Sequence, residues 1–128
     1  MDNQYDFSGQ TAIVTGGARG IGRAIAAQFV RFGAQVWIWD IDPVELNGAH
    51  SLTVDVTSAD EVAKALVQMS GQSPRVDILV NNAGYLGRFQ PFEQFDAGDW
   101  QQIVQVNLVG VFEVTRQVLP IMRRAGQG

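Results

Sequence analysis

The chain has 128 residues, 46% of them apolar and 17% charged, which suits one globular domain with a buried core. A net charge of −4 with no basic run beyond Arg123-Arg124 argues against nucleic acid as a partner. There is no cysteine for a disulfide framework, no apolar stretch near the ~20 residues of a membrane span, and no signal-peptide pattern in "MDNQYDFSGQ", so a cytoplasmic protein with no membrane partner is expected.

In chain order, "TAIVT" (11–15) reads as a buried strand that runs into "TGGARGIG" (15–22), four glycines in eight positions. "IGRAIAAQFVRFG" follows with helical periodicity, placing Ile21, Ile25, Ala26, Phe29 and Val30 on one face and Gly33 at the stop. "QVWIW" (35–39) and "SLTVDV" (51–56) are further β-rich runs, with the lone His50 in a polar connection between them. One histidine with no cysteine beside it makes no metal site. "SADEVAKALVQMSG" carries a capping box from Ser58 to Glu61 and a terminal Gly71. "VDILV" (76–80) is a fourth strand, closed by "NNAG". Asp96 or Asp99 caps a long last segment, "WQQIVQVNLVGVFEVTRQVLPIMRR", within which Pro120 removes one hydrogen bond and is expected to bend the helix. Strands that are apolar throughout and alternate with helices predict a single α/β domain of the Rossmann type, a doubly wound parallel sheet.

The glycine loop occupies the first strand–helix turn, where such folds hold a phosphate on the backbone N–H groups and dipole of a helix N-terminus. Gly16 suits a turn that a Cβ disfavours, Gly20 a close approach to a pyrophosphate, and Gly22 tight packing of the helix on the sheet. A plain tight turn accounts for one or two of these glycines, not for three at this spacing. A P-loop needs a lysine and a hydroxyl after its last glycine; Arg23 and Ala24 stand there instead. Asp40, ending the second β-run, is placed to accept hydrogen bonds from a ribose diol and to repel a 2′-phosphate, which favours NAD over NADP. It also reads as a turn aspartate in "DIDP". Arg19, a base inside the loop, pulls the other way.

The glycine loop, Asp40 and "NNAG", in that order, resemble the short-chain dehydrogenase/reductase family over essentially the whole chain. The resemblance implies a strand order 3-2-1-4 and a nicotinamide cofactor. Gly16, Gly20 and Gly22 would hold its pyrophosphate, with Arg19 and Ile21 beside it, and Asp40 the adenosine ribose. Asp55 and Val56 would border the adenine, and Asn82, Ala83 and Gly84 the far side of the cofactor. Asn107 would be the supporting asparagine of the Asn-Ser-Tyr-Lys set, linked through water to the lysine. Tyr85, Leu86 and Phe89 fall, by position, toward the nicotinamide end.

Asn107 is conspicuous without the family. It shares a helical stripe with Ile103, Gly110, Val114, Val118 and Ile121, where an unpaired amide would cost ~1–3 kcal/mol. A core asparagine bonded to backbone is the other reading. Two features depart from the family pattern. The Asp40–Asp55 connection is short, so a crossover helix is expected to be trimmed or absent. The serine and the Tyr-x-x-x-Lys pair are missing: Tyr5 and Tyr85 have Gly9 and Phe89 four residues on, and Lys64 is the chain's one lysine. The expectation is the cofactor-binding part of an NAD-dependent dehydrogenase acting on a secondary alcohol or ketone, inactive alone and oligomeric when whole. A non-catalytic nucleotide-binding or dimerising module is the alternative. A methyltransferase shares the loop and the acidic residue but not "NNAG".

Overall fold

Thr11–Thr15 is buried along its whole length and forms β1, the central strand; the computed structural model describes residues 4–128. The remaining elements are α1 (Gly20–Arg31), β2 (Gln35–Asp40), β3 (Ala49–Thr53), α2 (Ala59–Ser70), β4 (Ile78–Val80), α3 (Ala97–Val104) and α4 (Gly110–Ala125). The four strands make one parallel sheet in the order β3-β2-β1-β4, the predicted arrangement.

Side chains alternate across the sheet with the two-residue period of a strand. Ile13, Trp37 and Trp39 join Val62, Ala65 and Met69 of α2 and Val114 and Val118 of α4 in one core. Val14, Val36 and Ile38 pack on Ala26, Ile25, Phe29 and Val30 of α1 on the other side. Burial of each large apolar side chain here contributes ~1.5–3 kcal/mol. No helix separates β2 from β3, as expected; Val44 is buried there, and Ser51 Oγ donates to its carbonyl at 2.8 Å.

Several expected boundaries move. The third strand occupies 49–53 rather than 51–56, because the ladder ends where the Val54 N–H donates to the Asp40 carbonyl at 2.9 Å. Asp55 and Val56 therefore lie in the turn to α2. β4 is confined to 78–80, although the Asp77 N–H still reaches the Thr11 carbonyl at 2.9 Å. Ser58 caps α2 by accepting from the Glu61 N–H at 3.3 Å. Gly71 stays right-handed at φ −69°, so the turn there does not require glycine.

Gly33 does end α1, at φ +91°. Ile21, expected on the buried face of α1, is 76% exposed; it stands in the first turn and lines an apolar groove with Tyr5, Phe7, Phe29 and Phe32 instead of the sheet core. Asp96, not Asp99, caps the last helical segment, accepting from the Asp99 N–H at 2.7 Å. The backbone stays right-handed helical from α3 into α4, with one wide turn at Gln105–Val109, closed by the Gly110 N–H on the Gln105 carbonyl, between them.

At the N-terminal end of the sheet, the buried Asp77 carboxylate accepts from the Thr11 N–H at 2.8 Å and pairs with Arg75. Burial pushes its carboxyl up, but the Arg75 guanidinium and the Thr11 N–H outweigh that and hold it below the ordinary 3.8. This anchor leaves the opposite end of the sheet, the carboxyl ends of the strands, free to form a cleft.

Candidate functional site

The loop after β1 is shaped by close backbone approaches. Gly16 has φ +68°, and a Cβ on it would lie 2.7 Å from the Ala83 Cα. Gly22 is packed harder: its Cβ would meet the Asn82 amide nitrogen at 2.3 Å and the Gly16 carbonyl at 2.4 Å. Its lack of a side chain thus closes helix onto loop, rather than helix onto sheet as expected. Gly20, at φ +57°, has open space where a Cβ would be. Arg19, at the N-cap of α1, is extended and makes no side-chain cap, and no acidic residue stands in the first turn. The first backbone N–H groups of α1 therefore keep no side-chain acceptor, at the end of the helix that carries roughly half a positive charge.

Asp40 sits at the tip of β2 and locks the loop. Its Oδ2 accepts from the Ala18 N–H and its Oδ1 from the Asp42 N–H, both at 2.9 Å. The turn-aspartate reading is thus correct, and the carboxylate still lines the cleft. Arg19 pairs with Asp42, and Arg23 donates to the Glu45 carbonyl at 2.9 Å. Asp55 shapes the turn after β3, its Oδ1 accepting from the Thr57 N–H and hydroxyl at 2.9 and 2.7 Å. Val56 is buried against Gly110, whose absent Cβ would fall 2.8 Å from Val56 Cγ2.

The opposite wall is held by Thr15. Its hydroxyl oxygen accepts the N–H groups of Asn82 and Ala83, both at 3.0 Å, and donates toward the Val80 carbonyl at 3.4 Å. Asn82 Nδ2 returns two bonds, to the carbonyls of Thr15 at 3.1 Å and Gly16 at 3.0 Å. Asn81 ties the same segment to α4 through the Thr115 hydroxyl at 3.0 Å. Thr15 escaped the sequence reading as a site residue because it scores as a strand residue. The available signal was a hydroxyl at a buried strand end, directly before the glycine loop.

Asn107 is not on the buried stripe. It is exposed in the wide turn, where its Oδ1 accepts from the Tyr85 N–H at 3.1 Å and its amide donates to the carbonyls of Tyr85 and Ile103. The bonding of this side chain to backbone corresponds to the second of the two readings. Asn107 thereby secures the segment that follows Gly84, where an added Cβ would lie 3.0 Å from Asn107 Oδ1.

These walls enclose a cleft of about 910 Å³ lined by Gly16, Arg19, Asp40, Asp55, Val56, Asn82, Ala83, Gly84, Tyr85, Leu86 and Asn107, with Trp39 and Asp42. It lies outside the carboxyl ends of the strands, beside the glycine loop, where open α/β sheets bind ligands. Gly20 and Ile21 follow directly on Arg19 outside this lining, and Gly22 is buried behind Gly16. Phe89 points fully into solvent and lines nothing here. Among the described residues there is no cluster of metal-ligating side chains, and no helix is long and apolar enough to cross a membrane.

The model of the family described as short chain dehydrogenase matches residues 10–128. The chain belongs to the short-chain dehydrogenase family. It is 33% identical to the NAD(+)-dependent 2-dehydro-3-deoxy-L-rhamnonate dehydrogenase of a Sphingomonas species, over 95% of this chain and 52% of that protein. Bovine L-fucose dehydrogenase is 37% identical over 93% of the chain and 47% of its own length. Among solved structures, the NADH complex of the 3-ketoacyl-(acyl-carrier-protein) reductase of Brucella melitensis superposes with a TM-score of 0.89 at 31% identity, covering 94% of this chain and 53% of that one. Ligand-free Thermoplasma acidophilum aldohexose dehydrogenase gives 0.84 at 34% identity, over 92% and 46%. This short-chain dehydrogenase chain spans about half the length of the curated relatives it matches.

Proposed function

We propose that this chain is the NAD-binding half of an oxidoreductase that moves a hydride between nicotinamide and a secondary alcohol or ketone. The observation that carries the reading is the cleft itself. It joins an uncapped helix N-terminus, a carboxylate at the tip of β2 and a backbone wall at Asn82–Gly84. A dinucleotide fits this donor set: the free N–H groups of α1 suit a pyrophosphate, and the open space over Gly20 lets it approach. Gly16, Gly20 and Gly22 hold the pyrophosphate with Arg19 and Ile21 beside it, Asp40 accepts from the adenosine ribose, and Asp55 and Val56 border the adenine. Asn82, Ala83 and Gly84 back the remainder.

A nicotinamide held in this cleft would supply hydride chemistry at a carbinol or carbonyl carbon. The accompanying hydroxyl proton needs a base. Tyr85 lines the cleft, but Phe89 rather than a lysine stands four residues on, so we place the proton transfer on residues other than these 128. Asn107 acts as a positioning residue for the Gly84–Tyr85 segment. The whole enzyme is a homo-oligomer in this reading. A non-catalytic nucleotide-binding or dimerising module is the second reading, favoured by the exposure of Leu108 and Phe112 on the outer face of the last helical segment.

Equilibrium titration of the chain with NADH and NADPH, read by energy transfer from tryptophan, tests the proposal. NADH is expected to bind ten- to a hundredfold tighter, since repulsion between Asp40 and a 2′-phosphate contributes ~1–3 kcal/mol. Asp40→Ala narrows the ratio. Tighter NADPH binding by the unmodified chain overturns the NAD assignment, and absence of binding to either overturns the nucleotide reading.

A further inference from the structure

Arg19 is the only cationic side chain among the residues lining the cleft, alongside the carboxylates of Asp40, Asp42 and Asp55. It stands at the N-cap of α1, three residues from Gly16, where a guanidinium could serve a 2′-phosphate in bidentate fashion. It is nevertheless engaged: its Nη2 donates to Asp42 Oδ2. Both partners are well exposed, 78% and 49% by side chain, so the pair contributes little to folding stability. What it changes is the local field, because a guanidinium matched by a carboxylate presents no net charge to a ligand.

Asp42 is placed deliberately by the chain. Its N–H donates to Asp40 Oδ1, closing a two-residue turn that sets its own carboxylate beside the glycine loop. Pro43 follows and disfavours helical backbone at Asp42. Asp40 accepts from the Ala18 N–H on one carboxylate oxygen and from the Asp42 N–H on the other, which leaves further lone pairs and the full charge at the cleft.

We infer that Asp42 is a second specificity-determining residue for the nucleotide, acting by occupying Arg19 and withholding it from a 2′-phosphate. The inference rests on the reading that Asp40 marks the ribose end of the cleft. It makes NAD preference the product of two carboxylates, one that faces the diol and one that neutralises the loop's base.

The test titrates AMP and adenosine 2′,5′-bisphosphate into the chain by calorimetry, for the wild type, Asp42→Asn and Asp42→Asn/Arg19→Gln. Circular dichroism verifies the fold of each variant. Asp42→Asn keeps the backbone turn and side-chain size but releases the guanidinium. It is expected to tighten the bisphosphate about tenfold while AMP stays within about twofold. Removal of Arg19 in the double variant should erase that gain. An unchanged ratio in Asp42→Asn, or a gain that survives without Arg19, overturns the inference and leaves the nucleotide reading standing. A wild-type chain that binds neither probe overturns that reading and this inference together.

Discussion

Replacement of Thr15 by valine probes the joint between the glycine loop and the opposite wall of the cleft. Valine keeps the volume and the β-branched shape but removes the oxygen that accepts from the Asn82 and Ala83 N–H groups, both at 3.0 Å. A buried donor left without an acceptor costs about 1–3 kcal/mol. Thr15 is 1% exposed, whereas Asn82 and Ala83 are half-buried, so water recovers part of the loss. The expected net cost of Thr15→Val is about 2–4 kcal/mol, which at a typical urea slope moves the unfolding midpoint down by about 1–2 M. Thr15→Ser keeps the acceptor and gives up one buried methyl, about 1 kcal/mol. NADH affinity should fall with Thr15→Val and hold with Thr15→Ser, since Asn82–Gly84 is the wall being anchored. Urea unfolding of the three proteins at one slope, followed by NADH titration, decides the matter. A valine variant within about 0.5 kcal/mol of wild type, or a serine variant equally damaged, would refute the role given to the hydroxyl.

Gly22→Ala should destabilise by about 2–3 kcal/mol despite its better helix propensity, because the new Cβ would overlap the Gly16 carbonyl, which is backbone and cannot turn aside. Gly71→Ala, in open space with ordinary φ, should be neutral or slightly stabilising in the same urea assay. Asp77 has a depressed folded pKa, so its contribution is complete above 3.8 and is lost as pH falls through the folded value. Asp77→Asn should therefore flatten the acid limb of a stability-versus-pH curve followed by urea unfolding. The outer edge of β4 has no strand partner among the described residues, and Leu108, Phe112 and Leu119 are exposed, so sedimentation velocity at micromolar concentration should show self-association. A single monomeric species would contradict this. Purified chain incubated with NAD and secondary alcohols should produce no NADH; detectable turnover would show that a base has been overlooked.

The amino-acid sequence alone determined the parallel sheet, its strand order through the family resemblance, and the residues of the glycine loop. The sheet and the loop each rest on a local signal: apolar runs of strand length, helical periodicity with a stop at Gly33, and glycines too closely spaced for an ordinary turn. Asp40 was legible for the same reason, as an acid at a strand tip. Tertiary structure alone decided what touches what across the sheet. Thr15 reads as one more strand residue until β4 lies beside β1 and brings Asn82 to its hydroxyl. Asn107 fits a buried stripe by helical spacing, yet the wide turn at Gln105–Val109 breaks that spacing and turns it out to Tyr85. Ile21 fits the buried face of α1 by the same arithmetic but is exposed in the first turn, at the groove shared with Tyr5 and Phe7. The pairing of Arg19 with Asp42 joins positions 23 residues apart, and no periodicity connects them. Periodicity records how a chain faces one surface, whereas contacts between the ends of different strands depend on where the sheet places those ends.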